Sequence, residues 1–270
     1  LVFSLFVDLS ILGFVISYLF CFLFFTATNL WNHLNDAEDD LRDGRKEAKF
    51  LIEKRKEGVM FVVAFYILSL LVVIFFSHDS RAVFAFAISL LMTWLYSDKM
   101  FAGRYIRRLK EDYRTELLTY IFVTFAFFSL IWMFFSPINQ RGIAFAVITS
   151  LFYISGVFLK DIKDITADTL AGYRTLAVVF KPQTLFKISA TFNVLTLLLI
   201  LFFSVTGIFP VIGGLTALVL IPVLWAVYSI RKRGWLLSLE TVRYIKVYTF
   251  SYPLSLTLLG VLSLVVQHYS

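Results

Sequence analysis

Long apolar stretches alternate with short, polar, basic segments along nearly the whole chain. An apolar run of about 20 residues is long enough to cross a bilayer as a helix. The pattern predicts such helices near 10–34, 58–77, 82–97, 116–136, 142–160, 187–205, 209–230 and 246–268. The run 82–97 is short, so Arg81 at its end is expected to snorkel toward the interface. Residues 1–34 as one helix would measure about 50 Å at 1.5 Å per residue, too long for an ordinary crossing. A break is therefore expected near Asp8, with residues 1–7 as the tail of a first span lying mostly upstream. The predicted fold is an all-α polytopic membrane helical bundle. Eight spans are visible, and about nine are expected with the truncated first.

Composition sharpens this picture. Of 270 residues, 60% are hydrophobic and 18% aromatic, including 31 Phe, whereas a soluble domain is only about half apolar. The segments 35–57, 98–115, 160–187 and 231–246 hold 7, 6, 5 and 5 Lys or Arg, which is 23 of the 25 in the chain. Alternating spans place all four segments on one side, and the positive-inside rule makes that side cytoplasmic. The net charge of +7 therefore reflects topology and contact with membrane lipids. It is not a nucleic-acid footprint, because the cations are split among short loops between spans. No cleavable signal peptide is recognisable. The single Cys21 lies inside a span, so no disulfide or zinc framework follows.

Against this basic background two acidic clusters stand out. NDAEDDLRDG, residues 35–44, ends the run 10–34, and KDIKDITADTLAG, residues 160–172, ends the run 142–160. Both space their aspartates by three and then four: Asp36, Asp39, Asp43 and Asp161, Asp164, Asp168. Each is followed by a glycine, Gly44 or Gly172, and each ends a span running in the same direction. The echo suggests two related halves, about 1–115 and 116–270, with cap loops near 35–57 and 160–187. On a helix, positions three and four apart share a face. Asn32, Asn35, Asp39 and Asp43 would form one stripe and Asp161, Asp164 and Asp168 another. Aligned carboxylates repel and are costly near lipid. A divalent cation removes that cost, and Mg²⁺ takes one or two carboxylates together with substrate phosphates and water. Two facing stripes could hold Mg²⁺ ions bridged by a diphosphate. Glu38, Asp40, Glu47, Glu53 and Glu57 read instead as the solvated edge of a loop.

The two clusters resemble the paired motifs of the UbiA superfamily of intramembrane prenyltransferases. Asn35, Asp36, Asp39 and Asp43 match its N-D-x-x-D-x-x-x-D, and Asp161, Asp164 and Asp168 match its D-x-x-D-x-x-x-D. Leu95-Tyr96-Ser97 with Arg108-Leu109-Lys110, and Arg174-Thr175-Leu176, match supporting segments. The usual Pro after the Tyr-Ser is absent, so Lys99, Arg104 and Lys110 compete for the basic position after Tyr96. The resemblance implies nine transmembrane helices around a central cavity. It also implies Mg²⁺-dependent transfer of a prenyl group from an allylic diphosphate, such as geranylgeranyl diphosphate, to a lipophilic acceptor. Aromatic acids of quinone synthesis, a chlorin carboxylate, haem and a glycerol-phosphate ether lipid are the acceptor classes it brings.

In that reading Asn35, Asp36, Asp39, Asp43, Asp161, Asp164 and Asp168 hold metal, with Asp39, Asp43, Asp164 and Asp168 central to catalysis. Arg174, Lys110, Arg107, Arg108 and Tyr96 are expected on the diphosphate, because cations aimed at the developing charge lower the barrier. Asn32 and His33 are expected to support the acids. Two rivals remain: a cyclase that ionises the same substrate without an acceptor, and a transporter of a metal-bound anion.

Overall fold

A computed structural model of the chain describes residues 10–42, 44–160, 162, 165–235, 237–238 and 240–269. The described residues form helices and turns without strands. The long helices are α1 (Ile11–Arg42), α3 (Arg55–Phe76), α4 (Arg81–Ser97), α5 (Tyr113–Met133), α6 (Gln140–Lys160), α9 (Pro182–Val205), α10 (Leu220–Lys232) and α11 (Val242–Tyr269). Short helices α2 (Ala48–Glu53), α7 (Ile165–Leu170) and α8 (Leu176–Val179) lie in the connections. A 3₁₀ stretch, Val211–Val219, leads into α10. Each expected apolar run is thus helical, and seven helices are long and apolar enough to cross a membrane. The eighth, α4, has 17 residues. The protein is an integral membrane protein. The break expected near Asp8 lies outside the described residues.

Helices are imposed by the solvent, since in lipid each backbone N–H and C=O must find a partner within the chain. Side chains follow the same rule. Ser69, Thr119, Thr124, Thr149 and Thr196 each donate to the carbonyl one turn back. Arg81 does not reach for the interface alone. Its guanidinium forks onto Asp79, Nε to Oδ1 at 2.9 Å and Nη2 to Oδ2 at 2.6 Å.

The chain divides into two compact units, one of Ile11–Pro137 and one that begins at Ile138. In the first, an aromatic cluster joins α1, α4 and α5: the Phe20 ring lies 6.3 Å from Phe86, 5.9 Å from Phe127 and 5.3 Å from Phe134. Nearer the acidic end of α1, Trp31 stacks on Trp94 at 3.9 Å and donates Nε1–H to the Trp94 carbonyl at 3.1 Å. Thr28 and Tyr66 share a hydrogen bond of 3.1 Å between α1 and α3.

In the second unit a hydroxyl network joins the helices alongside ring contacts such as Phe158 on Phe192 and Phe186 on Tyr248. Ser155 of α6, Ser189 of α9, and Tyr248 and Tyr252 of α11 are linked by contacts of 2.7–3.3 Å. Asn193 of α9 donates to Ser251 of α11 at 3.0 Å, the interhelical bond a polar residue within a span ordinarily makes.

Both acidic clusters are closed by one device. Gly44 and Gly172 have φ of +85° and +73°. The Gly44 N–H donates to Leu41 O, and Arg45 N–H to Asp40 O. Gly172 N–H and Tyr173 N–H repeat this on Thr169 O and Asp168 O. Each is a Schellman cap with glycine in the left-handed position that a Cβ disfavours. The cap also shows where the sequence echo slips. Counted back from its glycine, the second ladder sits three residues deeper than the first, close to one helical turn.

Trp31 carries both the stack and the hydrogen bond that lock α1 to α4. Trp31→Ala should therefore lose about 3–5 kcal/mol of stability, seen as a lower thermal-unfolding midpoint in detergent. Phe84→Ala, at an exposed position, should leave the midpoint unchanged.

Candidate active site

The expected end of the first span near residue 34 proves too early, for α1 continues to Arg42 and carries the first acids on its last turns. An i, i+4 spacing sorts them into two pairs. Asn32 and Asp36 meet one part of the segment that follows α4, and Asn35 and Asp39 meet another.

At the first pair, Arg108 Nη1 lies 2.7 Å from Asp36 Oδ1 and Lys110 Nζ lies 2.6 Å from Asp36 Oδ2. Lys110 also donates to Asn32 Oδ1 at 3.1 Å, an oxygen that accepts from Ser97 at 2.6 Å as well. Arg108 places its Nε 2.5 Å from Glu111 Oε1, closing a quartet of two acids and two bases. Its side chain is 3% exposed. A buried ion pair broken on one side costs about 3–5 kcal/mol, so Asp36 and Arg108 hold one another in place. Burial pulls the Lys110 ammonium below the ordinary lysine pKa, against the opposing pull of Asp36.

The second pair is wetter. Lys99 Nζ sits 3.0 Å from Asp39 Oδ2, with the two side chains 42% and 35% exposed. Exposed pairs of this kind contribute only about 0–1 kcal/mol, so Asp39 can change partners at little cost. Asn35 is buried and has both ends engaged. Its Nδ2 donates to Trp31 O at 2.8 Å and its Oδ1 accepts Lys99 N–H at 2.7 Å.

The residues after α4 thus supply the cations, and Asp98 shapes them. Its carboxylate is 1% exposed. Oδ1 accepts the N–H groups of Met100 and Phe101 at 3.0 and 2.9 Å, and Oδ2 accepts that of Ala102 at 2.7 Å. The chain then folds back so tightly that a Cβ on Gly103 would stand 1.9 Å from the Asp98 carbonyl oxygen. Only glycine fits there. Of the three cations competing for the position after Tyr96, Lys110 and Lys99 reach acids. Arg104 forms no ion pair among the described residues. Arg107 is exposed, in contrast to its neighbour Arg108. Tyr96 pairs its hydroxyl with Tyr120 at 2.7 Å. His33 lies beside Asp40, 3.9 Å away, and Asp40 pairs with Arg45 at 2.9 Å.

In the second unit, Asp168 Oδ2 accepts from the buried Thr175 hydroxyl at 2.8 Å. The threonine of the Arg-Thr-Leu segment therefore steadies the last rung of the second ladder, while Arg174 is exposed. Asp43, Asp161 and Asp164 lie outside the described residues. Among the described residues no three His, Cys, Asp or Glu converge to hold a metal. The donor chemistry nonetheless fits Mg²⁺. Asp39 and Asp168 are hard oxygen donors, and this ion takes one or two protein carboxylates and fills its shell with phosphate and water.

The profile of the UbiA prenyltransferase family matches residues 2–242. The chain belongs to that family. A protein of Archaeoglobus fulgidus described as an uncharacterized protein is 48% identical over 239 residues, covering 88% of this chain and 83% of that one. The fold is also similar to the solved structure of a digeranylgeranylglyceryl phosphate synthase. There the TM-score is 0.70 at 16% identity, covering 97% of this chain and 90% of the other.

Within this UbiA family protein, Asp98 and the role of Lys99 are what motif reading misses. An acid next to a lysine resembles any charged loop. The signal that could have found Asp98 is the run Asp98-Lys99-Met100-Phe101-Ala102-Gly103, a carboxylate followed by a tight glycine return. Asp98→Ala leaves three backbone N–H groups unpaired, each worth about 1–3 kcal/mol. Amide exchange across 98–111 should then rise by at least about ten-fold while the spans stay protected. Asp98→Asn, which keeps one acceptor oxygen, should restore part of the protection. Unchanged exchange in Asp98→Ala would show that the segment is held by other contacts.

Proposed function

We propose that this UbiA family protein transfers an isoprenyl group from an allylic isoprenyl diphosphate to a lipophilic acceptor, with Mg²⁺, at the cytoplasmic edge of the membrane. The observation that carries the reading is the delivery of Lys99, Arg108 and Lys110 onto the first acidic ladder by one segment capped by the buried Asp98. A site built only to hold a cation has no use for three bases among its acids, two of them held on Asp36. A site for a metal-bound diphosphate needs both.

In this reading Asp36 anchors Lys110 and Arg108, and Lys110 keeps an ammonium at the water-poor edge of the helices. Lys99 is the movable base, because its pair with Asp39 is weak and exposed. Once Asp39 has another partner, Lys99 is free to turn to the substrate's phosphate oxygens. Mg²⁺, held by Asp39 and Asp43 and by Asp161, Asp164 and Asp168, would neutralise the charge that builds on the diphosphate as it leaves. The allylic C–O bond breaks with its electron pair going to the diphosphate, and the acceptor forms the new bond to carbon as its proton passes to an oxygen of the departing diphosphate. Fixed bases stabilise that departing charge with little reorganisation. The surrounding spans keep water away from the allylic carbon.

Geranylgeranyl diphosphate is the proposed donor. A glycerol-phosphate ether lipid is the first acceptor to test, since the similar fold carries the name digeranylgeranylglyceryl phosphate synthase. Purified protein with Mg²⁺, this donor and the acceptor classes above should yield a prenylated acceptor by mass spectrometry, and chelation should stop it. Asp39→Ala and Asp164→Ala should each abolish turnover while the protein stays inserted and folded. Near-normal turnover in either variant removes that carboxylate from the centre. A cyclised hydrocarbon formed equally with and without acceptor would replace transfer by cyclisation.

A further inference from the structure

The basic segment 231–246 is left over by the site described above. It holds five cations, Arg231, Lys232, Arg233, Arg243 and Lys246, against one acid, Glu240, an excess of four. Segment 35–57 carries 7 bases to 8 acids, and 98–115 carries 6 to 3, with Lys99, Arg108 and Lys110 turned onto the ladder. Among the described residues none of the five cations in 231–246 pairs with a carboxylate. Three of them lie over aromatic rings instead. The guanidinium groups of Arg233 and Arg243 lie 4.8 and 4.6 Å from the Tyr244 ring centre, and Lys232 lies 5.5 Å from that of Tyr228. Such contacts hold the side chains in place without neutralising them.

Next to this cluster a groove of about 670 Å³ runs along the second unit. Val219 and Pro222 form one wall, and Lys246, Val247, Phe250 and Pro253 form the other. Along α11 the positions 243, 246, 250 and 253 fall three and four apart and so make one stripe. Arg243 and Lys246 stand at its first turns, and apolar side chains fill the following ones. The groove is thus apolar along its length and cationic at one end, and nothing in the described residues supplies the anion.

We propose that this groove binds an anionic membrane phospholipid, with one acyl chain against Val219, Pro222 and Phe250 and its phosphate on Lys246 and Arg243. Charge complementarity selects this occupant. A soluble anion gains nothing from the apolar wall, and a neutral lipid gains nothing from the two bases. A zwitterionic headgroup brings its own cation to a cluster that already holds five. Each base near a membrane surface favours an anionic lipid by roughly a factor of five. Lys246 lines the groove and Arg243, held against Tyr244, stands one turn before it; together they predict a preference of about ten-fold or more for phosphatidylglycerol over phosphatidylcholine of identical chains.

The test is native mass spectrometry of the full chain released from detergent with an equimolar mixture of those two lipids. The unaltered protein should retain phosphatidylglycerol in that excess. Arg243→Gln with Lys246→Gln should bring the ratio near parity, while Lys246→Arg and Arg114→Gln should keep it. Equal retention of both lipids by the unaltered protein overturns the proposal, as does an undiminished preference in the double variant. Displacement of phosphatidylglycerol by stoichiometric geranylgeranyl diphosphate without metal would assign the groove to a different occupant and overturn it too. Turnover is not read, so the outcome stands apart from that of the proposed transfer reaction.

Discussion

A carboxylate at the edge of a hydrocarbon layer must have a partner, because burial without one costs several kcal/mol. The last turns of the apolar helix α1 present Asp36 and Asp39, and the segment after α4 supplies the partners that neutralise them. Asp36 takes a buried arginine and a nearly buried lysine. Asp39 takes an exposed lysine. The two acids lie three residues apart on one helix, yet one is locked and the other replaceable. That division gives a site a fixed part that keeps its bases in register and a loose part that can exchange a lysine for a ligand.

The segment that meets these acids cannot be an ordinary loop. To bring Lys99 to Asp39 and Lys110 to Asp36, the backbone between them has to reverse in a confined space. Asp98 makes this possible by taking three successive N–H groups, and Gly103 by presenting no Cβ to the Asp98 carbonyl. The stack of Trp31 on Trp94 holds the helices beneath the reversal. The position usually given to Pro in this family is thus served here by a different device, a buried carboxylate cap.

The second unit shares the first unit's cap and little else. Gly44 and Gly172 terminate their helices with the same pair of backbone hydrogen bonds, but the ladders sit in different registers before them. The helices of the first unit are joined mainly around phenylalanine and tryptophan rings, and those of the second by ring contacts together with a network of hydroxyls on Ser155, Ser189, Tyr248 and Tyr252. Membership of the UbiA prenyltransferase family accounts for the paired acids. It does not account for the surplus cations at the junction of α10 and α11, to which we assign an anionic lipid.

The sequence by itself determined the eight helices and the family. Apolar runs of bilayer length have no other way to satisfy their backbones, and paired acids at one spacing are a costly, specific pattern. It also marked Lys110 and Arg108 as bases of interest, through the matched Arg108-Leu109-Lys110 segment in a loop abutting the acids. It ended the first apolar run near residue 34, whereas the helix that carries it continues to Arg42. Arg107 and Arg108 were equivalent as text, as were Lys99 and Arg104. Only the tertiary structure separated them, because whether a charge is held, exchangeable or exposed depends on which segment, distant in the chain, packs against it.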